Sequence, residues 1–188
     1  RGFFTLMCLL LRNGADKDVT DANGWNALMF SSARGDLRGV RYLLEVCAQV
    51  NTVNLKGRTA LYLAAEAGHL EAMRCLLLAR ADPAVADKHG CSALFLAVER
   101  GHSSAVGSLL EARAPHHITL HGRSPLSTAS QCGHLEVVKL LLQAHASIDS
   151  ASLSMAVRNE HEEIVRLLLA SGTPSYEDML RPNLLVTA

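Results

Sequence analysis

The chain has 188 residues, is 49% hydrophobic but only 4% aromatic, and balances 18 Lys and Arg against 18 Asp and Glu for a formal net charge of zero. That balance removes the electrostatic footprint of a nucleic-acid binder, and no run approaches the roughly 20 apolar residues needed to span a bilayer, so neither nucleic acid nor membrane insertion is expected. The interior must be built from Leu, Ala and Val, which suit closely packed helices, and the five cysteines (Cys8, Cys47, Cys75, Cys91, Cys132) form no Cys-x-x-Cys, so they read as reduced thiols of a cytoplasmic or nuclear chain.

Residues 3–11 are the one segment with the look of a signal-peptide core, but they lack a basic leader of normal length. Their Leu10-Leu11 instead opens a ladder that returns at Leu43-Leu44, Leu76-Leu77, Leu109-Leu110 and Leu141-Leu142. The segment therefore predicts a repeat helix cut by the chain start at Arg1, as in a piece of a longer protein. Next come Gly24, Gly57, Gly90 and Gly122, spaced by 33, 33 and 32 residues, each followed four residues on by a leucine opening an alanine-rich run. Gly35-Asp36, Gly68-His69, Gly101-His102 and Gly133-His134 keep the same period. Such a period means one supersecondary unit copied along an array, because no single copy can bury its apolar face without a neighbour. The spacing predicts an elongated stack without one central core.

The cleanest unit is 54–86. Asn54-Leu-Lys-Gly57 signals a turn, Thr59 caps a short helix running to Ala67, and Gly68 ends it. Leu70, Met73, Leu76 and Leu77 then recur at helical spacing along a second helix that Ala81-Asp82-Pro83 stops. Helices this short are unstable alone in water, so stacking must supply their stability. Residues 57–71, Gly-Arg-Thr-Ala-Leu-Tyr-Leu-Ala-Ala-Glu-Ala-Gly-His-Leu-Glu, resemble the ankyrin repeat in the Gly-x-Thr-x-Leu start, the Gly-His turn and the leucine pair that follows. The resemblance covers nearly the whole chain and implies an all-α ankyrin-repeat solenoid, with helix-turn-helix units and protruding loops or short hairpin fingers between them. The units run 1–20 (second helix only), 21–53, 54–86, 87–118, 119–148 and 149–175, with a tail at 176–188.

Several positions depart from the family pattern. The last place of its Thr-Pro-Leu-His tetrapeptide holds Met29, Tyr62, Phe95, Ser127 and Ser154, so apolar packing is expected to replace the usual histidine bonds in the first three. The glycine that closes the second helix survives at Gly14 and Gly172 but gives way to Cys47, Arg80, Arg113 and His145. If those four adopt positive φ, each costs up to about 1 kcal/mol relative to glycine. Leu126 and Leu153 are only 27 residues apart, which predicts that the finger before the last unit is missing or cut to a tight turn. Both ends lack a polar cap and expose Phe3, Phe4 and Leu6 on one side and Leu180, Leu184 and Leu185 on the other, again as expected of a truncated array.

Chemical motifs are sparse. His161-Glu162-Glu163-Ile164-Val165 begins like a zinc-protease helix, but Val165 stands where the second histidine ligand belongs. His69, His102, His134 and His161 occupy one place in successive units, about 8 to 10 Å apart between packed helices, whereas zinc binds nitrogen at about 2 Å. They read as turn histidines. His116, His117 and His121 cluster in one inter-repeat segment and offer a minor metal-binding reading against that of a solvated loop. No phosphate-cradling glycine loop or nucleophile motif occurs, so neither catalysis nor a cofactor is expected.

In the ankyrin family the fingers and first helices line a concave face. Carried over by position, that face takes Trp25, Arg58, Cys91 and Arg123 after the turn glycine, and Ala22-Asn23, Leu55-Lys56, Lys88-His89 and Leu120-His121 before it. Arg34, Glu66, Glu99, Arg100, Gln131, Arg158 and Asn159 fall at the first-helix ends. Trp25, the sole tryptophan, is expected to anchor a partner with Arg58 and Arg123, since Trp and Arg dominate interface hot spots, unless it folds against the adjacent finger. Leu55, Lys56, Lys88, His89, Arg100 and Leu120 complete the candidate surface. The resemblance implies a non-catalytic module, a monomeric array binding a protein or peptide. The second reading is a regulatory or targeting segment of a larger enzyme, such as a protein kinase, or of a membrane channel.

Overall fold

A computed structural model describes residues 2–172. The side chain of Phe3, and residues 173–188 with Leu180, Leu184 and Leu185, lie outside the described part. Eleven helices follow in order: α1 (Gly2–Arg12), α2 (Ala27–Ala33), α3 (Leu37–Glu45), α4 (Ala60–Ala67), α5 (Leu70–Leu78), α6 (Ala93–Glu99), α7 (Ser103–Glu111), α8 (Pro125–Cys132), α9 (Leu135–Gln143), α10 (Ser150–Arg158) and α11 (Glu162–Ala170). Among the described residues there is no strand, only bridges between Ala86 and Ser92 and between Leu120 and Arg123, and no helix is long and apolar enough to cross a membrane.

The even-numbered helices form one column and the odd-numbered helices from α3 onward a second, with Phe4 of α1 packed edge to face on Tyr42 of α3. Each first helix starts at a side-chain cap. Asn26, Thr59, Ser92, Ser124 and Asp149 accept the backbone N–H three residues on, at Met29, Tyr62, Phe95, Ser127 and Ser152. Ala64, Ala65, Ala97, Ala129, Ser31, Ser32 and Ser130 are wholly buried where first helices meet, and side chains this small let the backbones approach closely. The first-helix column packs more tightly than the second. One continuous apolar cluster runs from Met7 to Leu168, as expected when each unit is buried by its neighbours.

The second helices of the later units start at His69, His102, His134 and His161 without a side-chain cap. Their rings reach back one unit instead. His134 Nε2 lies 3.1 Å from the Glu99 carbonyl oxygen and His161 Nε2 3.1 Å from that of Gln131. A Cβ on Gly101 or Gly133 would sit 2.6 Å from those rings, so glycine is needed there for close approach as well as for its positive φ. His134 and His161 are thus inter-unit ties. At the second-helix ends, Cys47, Arg80, Arg113 and His145 do take positive φ, between 58° and 63°.

The last unit differs from the expected register. Leucine spacing equates Ser124 with Ala151, which has no acceptor to cap a helix, and the cap moves two residues upstream to Asp149. Asp149 Oδ1 accepts the Ser152 N–H at 2.7 Å and Oδ2 accepts the Ser124 hydroxyl at 2.8 Å, joining two successive caps. The third helical place, assigned from spacing to Ser154, therefore falls to Ser152, which is buried while Ser154 is exposed. Residues 144–149 lead straight from α9 into α10 with no finger between them.

Candidate partner-binding face

Three of the fingers share one construction. Asp21, Asn54 and Asp87 each use Oδ1 to accept the N–H groups two and four residues on, which closes the turn ahead of Gly24, Gly57 and Gly90. Successive fingers are then stitched by backbone bonds, Leu55 N–H to Asn23 O and Lys88 N–H to Lys56 O, each 3.0 Å. In the fourth finger Leu120 takes the place of the Asp or Asn, its N–H bonding the Arg123 carbonyl as those of Asp21, Asn54 and Asp87 bond Trp25, Arg58 and Cys91, and the turn is one residue shorter. Leu120 and Arg123 exchange both backbone bonds around His121 (φ 52°) and Gly122 (φ 74°), a two-residue hairpin turn. The stitch is not repeated from the third finger to the fourth among the described residues; the Leu120 side chain approaches Gly90 instead.

On this frame Leu55, Lys56, Lys88, His89, His121 and Arg123 are exposed at or beside the tips, Arg100 is exposed at the end of α6, and Leu120 is half-buried. Lys56 and Lys88 are neighbours through the backbone stitch. Arg58 is held within the array. Its Nη1 reaches Glu66 at 3.2 Å, its Nε lies 3.7 Å from Asp87 Oδ2, and its guanidinium stacks 4.9 Å from the centre of the Tyr62 ring. Arg123 repeats the arrangement by donating to Gln131 Oε1 at 3.1 Å, eight residues along, as Glu66 is from Arg58. Between these two rungs the cation's place is taken by Cys91, and the exposed carboxylate opposite, Glu99, has no ion-pair partner among the described residues.

Burial pushes the Cys91 thiol up, with Asp87 and Glu99 adding to the shift while the Tyr62 hydrogen bond and Arg58 oppose it. Cys132 is raised by desolvation and then by Glu99, against Arg123. Tyr62 is raised well beyond the usual phenol range, first by burial, then by Cys91 and Asp87. These groups stay neutral at physiological pH, so neither thiol is poised as a nucleophile.

Trp25 does not join that row. It packs on Phe30 with ring centroids 4.9 Å apart and lines, with Leu6, Leu10 and Val19, an apolar groove of about 410 Å³ beside α1. Nor do His116, His117 and His121 form a metal centre. The first two rings stand 6.1 Å apart edge to face, and among the described residues no three His, Cys, Asp or Glu side chains are grouped to hold an ion. Sequence reasoning missed the Tyr62–Asp87 pairing and the isolation of Glu99. The signal for the first was the Asp or Asn recurring three residues before the turn glycine.

A family model described as ankyrin repeats, in three copies, matches residues 1–87, 68–152 and 94–179. Comparison with curated proteins finds no match.

Proposed function

The chain belongs to the ankyrin-repeat family, whose repeats are generally protein-interaction modules, and on that premise we propose that it is a non-catalytic array that docks a protein or peptide against its fingers and first helices. The observation that carries this reading is the set of exposed side chains Lys56, Lys88, Arg100 and Arg123, which have no ion pair among the described residues yet are mounted on a stitched backbone frame. Their backbones are already ordered, so a partner loses less free energy to immobilisation than on a mobile loop. Function resides in such side chains because the fold by itself names no ligand.

The test is affinity capture from cell lysate with the wild type, a Lys56→Glu/Lys88→Glu variant and an Arg74→Glu variant on a second helix. Proteins retained by the wild type and the Arg74 variant but lost by the finger variant support the reading. Loss with Arg74→Glu alone would move the docking face to the opposite side of the stack.

A further inference from the structure

In the three middle units the two sides of the array differ in charge although the chain as a whole is neutral. In the three middle units the fingers and first helices, residues 54–68, 87–101 and 119–133, carry Lys56, Arg58, Lys88, Arg100 and Arg123 against Glu66, Asp87 and Glu99. The second helices and following loops, residues 69–86, 102–118 and 134–148, carry four cations and four carboxylates. Pairing sharpens the contrast. On the second helices Arg74 meets Glu71 at 3.4 Å and Lys139 meets Glu136 at 2.6 Å. On the first-helix side of these units Arg58 occupies both Glu66 and Asp87, which leaves four cations and one carboxylate, Glu99, with no ion pair among the described residues.

We infer that the partner segment received by this face is an acidic peptide, its carboxylates falling on Lys56, Lys88 and Arg123. This rests on the docking reading above and names the chemistry of the ligand. Lys56 and Lys88 are set side by side by their backbone bond, and Arg123 stands one finger further on, so an extended chain crossing the tips meets cations in successive units. Exposed pairs of this kind add modest affinity each but strongly favour encounter with a partner of opposite sign, and their effect weakens with salt. Exposed Leu55 beside Lys56 adds apolar contact at the same tip.

The test is fluorescence anisotropy with three fluorescein-labelled peptides, repeats of Glu-Gly-Ser, Gln-Gly-Ser and Lys-Gly-Ser, added to the 188-residue chain. The Glu peptide should bind tightest, lose affinity as salt rises, and weaken on the order of tenfold with Lys56→Glu/Lys88→Glu. The Arg74→Glu variant should bind it as the wild type does, and circular dichroism of each variant checks that the fold is intact. Equal binding of the Glu and Gln peptides, tighter binding of the Lys peptide, or binding of none overturns the inference. Loss of lysate capture in the same finger variant alongside tighter Lys-peptide binding would sink the acidic partner while leaving the docking face in place.

Discussion

The Tyr62 hydroxyl donates to Asp87 Oδ2 at 3.2 Å, carrying a buried side-chain bond from α4 into the turn that opens the next finger. Tyr62 stands in the tetrapeptide place where the family carries histidine, and its own backbone N–H is held by the Thr59 cap. It therefore supplies apolar packing and an inter-unit tie at once, while Asp87 Oδ1 holds the finger turn. Tyr62→Phe should cost on the order of 1 kcal/mol by denaturant titration at neutral pH. The phenol and the neighbouring Cys91 thiol are both raised in the folded state, so the stability tied to their neutral forms is complete below their unfolded values and is lost as pH rises through the folded ones. Stability should fall above about pH 9 to 10, and Tyr62→Phe should flatten that fall in part. An unchanged alkaline limb would show that Tyr62 ionisation is not coupled to unfolding.

Arg80 and Arg113 hold φ of 63° and 60° at the ends of α5 and α7, where glycine adopts this conformation without steric cost. Arg80→Gly and Arg113→Gly should each stabilise the array by up to about 1 kcal/mol, read as a rise in denaturation midpoint at constant slope. Lower midpoints would mean that the arginine side chains make contacts worth more than the strain.

Ser31 and Gly39 meet across α2 and α3. A Cβ on Gly39 would lie 2.7 Å from Ser31 Oγ and 2.7 Å from Asp36 Oδ2, and the Ser31 hydroxyl is buried without a hydrogen-bond partner. One unit on, the same two places are Ala64 and Ala72, both buried. Ser31→Ala should gain about 1 kcal/mol, Gly39→Ala alone should lose stability, and the double variant should exceed the sum of the two by about 1 kcal/mol. Additive effects in a double-mutant cycle would assign the crowding at Gly39 to Asp36 alone.

Trp25, half-buried on Phe30, is expected to act in packing at the N-terminal end of the stack. Trp25→Ala should lower stability by about 1 kcal/mol and leave binding of the Glu-Gly-Ser peptide unaltered. The opposite pattern, weakened binding with an unchanged melting temperature, would restore the tryptophan as a partner anchor.

Periodicity made the architecture legible before any coordinates. The glycine and leucine ladders located both helices of each unit, Thr59 marked a helix start, and the missing closing glycines pointed to four residues that do take positive φ. The candidate face was legible only as a set of positions. Arg58 and Arg123 looked equivalent in the ladder, yet Arg58 has Glu66, Asp87 and Tyr62 around it while Arg123 bonds a neutral Gln131. Glu66 and Gln131 stand eight residues along within the same unit, so that part of the difference was open to the sequence, whereas Asp87, 29 positions from Arg58, is brought in only by stacking.

The sequence by itself determined the all-α repeat stack and the positive φ of Cys47, Arg80, Arg113 and His145, because these follow from local capping, local sterics and the period of apolar residues. Tertiary structure alone decided that Asp149 replaces Ala151 as a cap, that Trp25 turns to Phe30, and that Glu99 has no ion-pair partner among the described residues. The cap is settled across a unit boundary, where Asp149 also accepts the Ser124 hydroxyl, while Trp25 is settled by the side-chain packing of its own unit, which spacing does not encode.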